Sequence, residues 1–144
     1  MLPKHISLHS FTSPTVIDEI TCLKAAMAKQ AKEELGFLPD GQTADVEDVV
    51  EKTYQDIAHV VVLLDMRNEN VLGHVILSKS NPNLVKGVYV EPEYRRLGYG
   101  KKMMEFLQEN HGGEALLIGV LANNVVAIEF FETMGYEVRR LSYS

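Results

Sequence analysis

The order of helix and strand patterns in this sequence predicts an α/β (α+β) fold, in which a mixed, mostly antiparallel sheet carries helices on both faces. Helix and strand patterns alternate along the chain, and three strand patterns in the middle are separated only by short polar turns, which is typical of an antiparallel meander. No repeat, linker or low-complexity stretch divides the 144 residues. We therefore expect residues 1–144 to form a single domain.

The first half of the chain is predicted to hold one strand and two helices. A short strand at 6–9 is followed by Ser13 as N-cap and Pro14 as first helical residue of an amphipathic helix that ends at Gly36. A second, shorter helix is predicted from about Asp45 to Tyr54. The apolar residues that recur on one face of the first helix are Val16, Ile20, Leu23, Met27 and Leu35.

The second half is predicted to continue with strands and helices bounded by turn residues. A helix from about Gly98 to Asn110 directs Met103, Met104 and Leu107 inward and ends at Gly112 and Gly113. A later helix, at about 124–134, ends at Gly135. The predicted strands of this half are Ile57–Met66, Val71–Ser80, Leu84–Val90, Ala115–Leu121 and Tyr136–Tyr143.

Composition excludes several classes of protein. Hydrophobic residues make up 46% and charged residues 24%, as in globular domains, and the net charge of -6 argues against general nucleic-acid binding. The longest apolar run, at 60–64, is far shorter than the roughly 20 residues that cross a bilayer. The start lacks the apolar core of a secretory signal, and the single Cys22 cannot form an internal disulfide. We expect a cytoplasmic protein with no membrane partner.

The third of these middle strands is followed by a loop and a helix start. This segment is positively charged in a chain that is otherwise acidic. Two glycines, Gly98 and Gly100, allow close approach of the backbone to a ligand, and the unpaired amides at a helix start bind anions. A solvated turn before a helix has the same local pattern. The four cations within eight residues are Arg95, Arg96, Lys101 and Lys102.

Two common phosphate-binding motifs do not fit this loop. A Walker loop needs Lys followed by Ser or Thr, but Lys101 is followed by Lys102. A dinucleotide fingerprint needs a small residue where Met103 stands. Neither an NTPase nor a nicotinamide or flavin enzyme is supported.

Three segments together resemble the GNAT superfamily of acyl-CoA N-acyltransferases. Residues 90–100, with their Val-Glu-Pro start, are similar to its pyrophosphate loop. Residues 120–136, with Asn124-x-x-Ala127, an aromatic pair and Gly-Tyr, are similar to its second signature, and 71–77 resemble its Gly-bearing third strand. The predicted order of elements fits the topology of that family over nearly the whole chain.

The resemblance implies a GNAT-like sheet that is splayed between strands four and five, with the pantetheine of acetyl-CoA in the gap. It implies that the Val90 amide faces the thioester carbonyl as an oxyanion donor. It also implies that Asn124 reaches the pantetheine arm, although a helix N-cap explains this residue equally well. The implied cofactor-binding residues are Val88, Val90, Arg95, Arg96, Leu97, Gly98, Tyr99, Gly100, Lys101, Lys102, Asn124 and Phe131.

The sequence departs from this family at the acid and at the base. Many relatives carry Tyr at the position of Phe131, where it protonates the CoA thiolate. In this chain either Tyr136 or Tyr143 donates the proton instead, or the thiolate leaves unassisted, or the protein binds acyl-CoA without efficient catalysis. Strand four holds no Glu or His, which leaves His74 and Glu91 as candidate bases. Lys86 either points into the cleft or lies in solvent.

These features predict an N-acetyltransferase that moves an acetyl group from acetyl-CoA to a primary amine by direct attack in a ternary complex, without a metal. The alternative is an acetyl-CoA-binding regulatory module that docks a partner protein. The seven carboxylates between Glu33 and Glu51 either attract a cationic acceptor or form solvated helix faces. The apolar strand 115–121 needs cover on its edge, which predicts either an inserted tail or a homodimer through the C-terminal strand.

Overall fold

A computed structural model describes residues 2–20, 22–38, 41, 43–111 and 114–141. Six strands form one sheet in sequence order. The strands are β1 (Ile6–Phe11), β2 (Ile57–Asp65), β3 (Asn70–Ser78), β4 (Leu84–Val90), β5 (Leu117–Leu121) and β6 (Glu137–Leu141). The helices are α1 (Pro14–Asp18), α2 (Leu23–Leu35), α3 (Val46–Gln55), α4 (Tyr99–Asn110) and α5 (Val125–Thr133), with a 3-10 turn at Pro92–Tyr94.

The sheet is mixed and buried on both faces, as predicted. Strands β1 to β4 pair antiparallel, whereas β4 with β5 and β5 with β6 pair parallel. Along β2, Val60 and Val62 pack into a cluster with α2 and α3, and Val61 and Leu63 pack into a second cluster with α4. Because successive side chains of a strand point to opposite faces, this alternation places helices on both sides and confirms the fold class.

The predicted helix from Pro14 to Gly36 is broken in two, which corrects the sequence analysis. Ser13 occupies the N-cap position, but its side chain makes no capping hydrogen bond, and α1 already ends at Asp18. Ile17 and Leu23 are both buried in the cluster beneath α2 and α3. In an unbroken helix, residues six apart point about 120° away from each other. The break between α1 and α2 therefore lets both side chains reach the core.

The remaining predicted elements agree with the structure to within two residues. Asp45 caps α3 by accepting the amides of Glu47 and Asp48, and Met103, Met104 and Leu107 of α4 are fully buried. The predicted ends at 112–113 and 142–143 lie outside the described residues. No helix in the described part of the chain is long and apolar enough to cross a membrane.

The parallel pairing of β4 with β5 is confined to one end of these strands. Leu84 pairs with Leu117 and Val85 with Ile118, and beyond these two pairs the strands separate. This separation is the predicted splay. On its other side, β5 pairs with β6 along its whole length. The tail strand thus covers the far edge of β5 within one chain, and a homodimer through the C-terminal strand stays a prediction.

Asp56, the residue after α3, connects three elements. Ser78 Oγ donates to its Oδ2 over 2.6 Å, the Ser80 amide donates to Oδ1 over 2.9 Å, and Lys86 Nζ lies 2.9 Å from Oδ2. Burial alone would raise the pKa of Asp56, but these partners outweigh burial and hold the pKa well below its usual value. The ionised carboxylate therefore stabilises the folded state.

We expect Asp56→Asn to lower the free energy of unfolding at pH 7 by about 1 to 3 kcal/mol, because the ion pair and one acceptor oxygen are lost. A carboxyl whose pKa is lowered by folding stabilises above its unfolded pKa of about 3.9 and loses that contribution as the pH falls below it. The difference in unfolding free energy between wild type and Asp56→Asn should therefore be smaller at about pH 3 than at pH 7. Urea unfolding at both pH values measures this difference, and an equal difference at the two pH values would contradict the prediction.

Candidate functional site

The backbone of β4 is open toward the gap that separates it from β5. In an antiparallel pair, alternate residues bond the partner strand and the residues between them turn their N–H and C=O groups to the other side. The Glu91 amide donates to the Leu72 carbonyl over 2.8 Å. The backbone groups of Val90 and Val88, one and three residues earlier, therefore point away from β3 and into the gap. The splayed sheet offers an unpaired strand edge there.

The loop between β4 and α4 leads from this edge to a free helix start. Gly98 has a φ of +83°, and its carbonyl accepts the Lys102 amide as the first bond of α4. Arg96 also has a left-handed backbone, with a φ of +65°. The amides of the first helical turn have no partner within the helix and form an anion-binding surface.

The side chains of this loop divide between solvent and core. Leu97 is 60% exposed, and Lys101 is also exposed. Tyr99 is buried in the core cluster beneath α4, so it offers only its backbone to a ligand at the loop. Lys102 is partly buried. The side chains of Arg96 and Lys101 are therefore accessible to a ligand near the start of α4.

Arg95 makes contacts that its sequence pattern does not reveal. Its guanidinium forms an ion pair with Glu33 of α2 and lies over the Tyr89 ring, 5.3 Å from the ring centroid. Its Nε donates to the Val90 carbonyl over 2.7 Å. Arg95 thus joins α2 to the end of β4 and occupies one of the backbone groups that face the gap.

The start of α5 follows β5, the strand on the far side of the gap. Asn124 is the N-cap residue, and its side-chain oxygen accepts the Ala127 amide over 3.3 Å. A Cβ added at Gly100 would lie 3.6 Å from the Phe130 ring, so α5 closely faces the start of α4. Phe130 is 43% exposed and Val126 is 81% exposed. These two apolar residues are not among the site residues predicted from the sequence.

Phe131, at the position of the acid in many relatives, is buried, and the candidate acid Tyr136 is partly buried. Phe131 is 5% exposed in the core cluster, and its ring meets that of Phe130 edge-on. Burial raises the pKa of Tyr136, and Glu105 of α4 adds to this rise. Tyr143 lies outside the described residues. The phenol of Tyr136 therefore holds its proton at neutral pH.

The two candidate bases have very different surroundings. His74 is fully buried and stacks on Tyr89, and burial lowers its pKa to about 4. Glu91 is held by Lys29 of α2, whose Nζ lies 2.6 Å from the carboxylate. His74 is therefore neutral at pH 7, and the charge of Glu91 is neutralised by an ion pair.

A small cleft between α2, α3 and β4 contains a carboxylate that the sequence analysis did not single out. Glu34 lines it together with Gln30, Lys86 and Gly87, and the space measures about 30 Å³. Burial raises the pKa of Glu34 to about 7. The signal in the sequence was a polar pair on a buried stripe, because Gln30 and Glu34 follow Leu23 and Met27 at helical spacing.

A hydrogen bond connects the segments that follow β5 and α2. Asn123, in the turn after β5, donates from Nδ2 to the Phe37 carbonyl over 3.2 Å. Phe37 lies just beyond the end of α2. The segment that follows α2 therefore lies beside the turn that follows β5.

Comparison with known proteins places this geometry in context. A family model for the acetyltransferase (GNAT) domain matches residues 55–138, more than half of the chain. The YjaB protein of Escherichia coli shares 20% of its residues with this chain at a TM-score of 0.62, covering 88% of this chain and 79% of that one.

Two further solved structures have the same fold. Aminoglycoside N-acetyltransferase AAC(6')-Iy, in complex with CoA, is 14% identical with a TM-score of 0.64, covering 100% of this chain and 97% of that one. A GNAT family acetyltransferase from Staphylococcus aureus is 15% identical with a TM-score of 0.61, covering 90% of this chain and 83% of that one.

The left-handed backbone of Gly98 predicts a stability cost for any side chain there. Nothing lies within 4 Å of an added Cβ at Gly98, so only the backbone opposes it, whereas a Cβ at Gly100 makes ordinary contact. We expect Gly98→Ala to lower the free energy of unfolding by about 1 to 2 kcal/mol. Gly100→Ala serves as the control and should not be destabilising. Urea unfolding of both variants measures this, and equal values for the two would contradict it.

Proposed function

This chain belongs to the GNAT acetyltransferase family, and from that membership we propose that it transfers an acetyl group from acetyl-CoA to a primary amine by direct attack in a ternary complex. The observation that carries the proposal is the unpaired edge of β4, with Val88 and Val90 facing a gap that ends at a free helix start. An extended pantetheine arm, rich in amides, pairs with such an edge as an added strand does.

The loop supplies the site for the pyrophosphate. The amides from about Leu97 to Lys101 are free to bind it, since the Lys102 amide already donates to the Gly98 carbonyl, and Arg96, Lys101 and Lys102 provide positive charge around them. The related AAC(6')-Iy structure holds CoA, which supports this assignment. The exposed side chains of Leu97, Val126 and Phe130 are apolar surface that a bound cofactor would cover.

The chemistry follows from the backbone of β4. The Val90 amide lies where negative charge develops on the thioester oxygen when an amine attacks, and a fixed donor stabilises that charge. Asn124 already caps α5 through its oxygen, and its Nδ2 group donates to the pantetheine arm. The thiolate is an acceptable leaving group, because a thiol has a pKa of about 8.5.

The acceptor is proposed to be a cationic amine that enters from the side of α2 and α3. Three carboxylates of that segment are already in ion pairs, while Glu34 lines the cleft beside β4; the pairs are Glu33 with Arg95, Asp48 with Lys52 and Glu51 with Lys24. The chain shares its fold with an aminoglycoside N-acetyltransferase, which supports an amine acceptor.

A second candidate function is an acetyl-CoA-binding regulatory module that acts by docking a partner protein. Phe131 favours it, because a buried phenyl ring cannot protonate the thiolate. The two functions differ in turnover. Thiol release from acetyl-CoA in the presence of spermidine, kanamycin or a lysine-containing peptide supports the transferase; acetyl-CoA binding without release supports the module.

Acetyl-CoA binding should depend more on Gly100 than on any single cation. A Val side chain at Gly100 would press against the Phe130 ring beside the proposed site, whereas Lys101→Ala removes an exposed, screened charge that contributes about 1 kcal/mol or less. We expect Gly100→Val to weaken binding by about tenfold or more and Lys101→Ala by about fivefold or less. Calorimetry on variants of verified stability measures this. Wild-type affinity in both would reject the assignment of this loop.

If thiolate departure limits turnover, a phenol at Phe131 should accelerate it. We expect Phe131→Tyr to raise kcat with nearly unchanged acetyl-CoA affinity, because the new interaction forms only as the thiolate leaves. Phe11→Tyr adds the same hydroxyl on the distant β1 and serves as control. Steady-state kinetics and thermal unfolding measure the effect; an unchanged or lower kcat in a stable variant would show that departure is not limiting or that another donor acts.

A further inference from the structure

A chain of hydrogen bonds joins α2 to β3, next to β4. His74 Nε2 lies 2.6 Å from Gln30 Oε1, and Gln30 Nε2 donates to Glu34 Oε1 over 3.0 Å. Glu34 and Gln30 belong to α2, and His74 belongs to β3.

The direction of the chain follows from the chemistry of the amide. Because the Gln30 nitrogen donates to Glu34, its oxygen must accept, so His74 carries a proton on Nε2. Among the described residues, His74 Nδ1 is the buried side-chain polar atom that has no hydrogen-bond partner. Nε2 is therefore the ring nitrogen of His74 through which this buried side chain forms a hydrogen bond, and that bond fixes the Gln30 amide.

The chain ends beside the strand that is proposed to hold the thioester. Gly87 is in contact with Gln30, since a Cβ added at Gly87 would lie 2.3 Å from Gln30 Nε2. Val88, whose backbone faces the gap, is the next residue along β4. The cleft that Glu34 and Gly87 share has room for about one water molecule or one ammonium group.

We propose that Glu34 accepts the proton that the acceptor amine must lose, and that Gln30, fixed by His74, is the residue that positions its carboxylate. This inference rests on the proposed acetyl transfer. It places the base on α2, opposite β4, where the strand itself offers no Glu or His.

The proposed step is balanced in protons and electrons. An alkylammonium gives one proton to the Glu34 carboxylate, directly or through one water, and the neutral amine attacks the thioester carbon. The C–S bond then breaks, the electron pair leaves with sulfur, and the second N–H proton of the adduct neutralises the thiolate. Glu34 returns its proton to solvent. An amine with a pKa of about 10.4 needs such an acceptor at pH 7.

The charges around Glu34 are consistent with this role. Burial is the main cause that raises its pKa to about 7, Glu33 adds to the rise, and the hydrogen bond from Gln30 opposes it. Lys86 lines the same cleft but is paired with Asp56, and His74 is neutral at pH 7. A carboxylate with a pKa near the working pH can both accept and release a proton.

The test compares pH profiles of kcat/KM for the fastest of the three amines. For wild type we expect a rising limb centred near pH 7, where Glu34 ionises. Glu34→Gln should lose this limb, fall on the order of 100-fold at pH 7, and recover only toward the pKa of the amine at about 10. Its acetyl-CoA affinity should be unchanged. Glu109→Gln, at an exposed site near the end of α4, is the matched control.

Gln30→Met tests the positioning role separately. Removing the amide donor removes a contact that lowers the pKa of Glu34, so the rising limb should move to higher pH while acetyl-CoA affinity stays the same. A purely structural role for Gln30 would lower stability without moving the limb. An unmoved limb in a folded Gln30→Met variant would overturn the positioning role.

The outcomes separate this inference from the proposed function. A wild type that releases thiol while Glu34→Gln keeps both its rate and its limb near pH 7 overturns the role of Glu34 alone. A raised KM with unchanged kcat and unchanged pH profile overturns it as well. A wild type that binds no acetyl-CoA, or releases no thiol with any of the three amines, overturns acetyl transfer and this role together.

Discussion

The pairing between β4 and β5 stops after Val85 and Ile118, and the site described above depends on this limit. Each backbone N–H and C=O of a buried strand needs a partner, so a strand edge that its neighbour abandons is a strong binding surface for any extended group with amides. The same divergence brings the free start of α4 to the end of that surface. A pairing that continued to Val90 would close the gap and remove the site.

The sequence predicted the strands well because their limits are local. Leu84–Val90 is bounded by a Pro-Asn turn and by Glu-Pro, and the structure has these limits. The break between Asp18 and Leu23 was not predictable, because the apolar spacing is consistent with one helix and only the burial of Ile17 requires two. Local pattern shows which face of a helix is apolar, but it does not show how the core below is shaped.

The site was predicted where backbone geometry determines it. Gly98 adopts the left-handed conformation that its residue type favours, and the loop lies at the open strand edge. The partner of Arg95 could not be predicted, because Glu33 is distant in sequence and only the fold brings it near. Gln30 and Glu34 were visible as polar residues on a buried stripe, but their meaning depends on His74, a contact between separate elements.

The connectivity of the sheet changes at the gap. Strands β1 to β4 follow one another antiparallel, with short turns between β2, β3 and β4, whereas β5 and β6 join in parallel through the crossover helices α4 and α5. The contacts among β2, β3 and β4 are therefore local, whereas those of β4 with β5 and of β5 with β6 close longer loops at a greater entropic cost, as does the contact of β1 with β2. The gap between β4 and β5 has no second wall until the chain has passed through α4. Its formation thus requires the long-range part of the fold, even though its ligand-facing loop is a short, continuous segment.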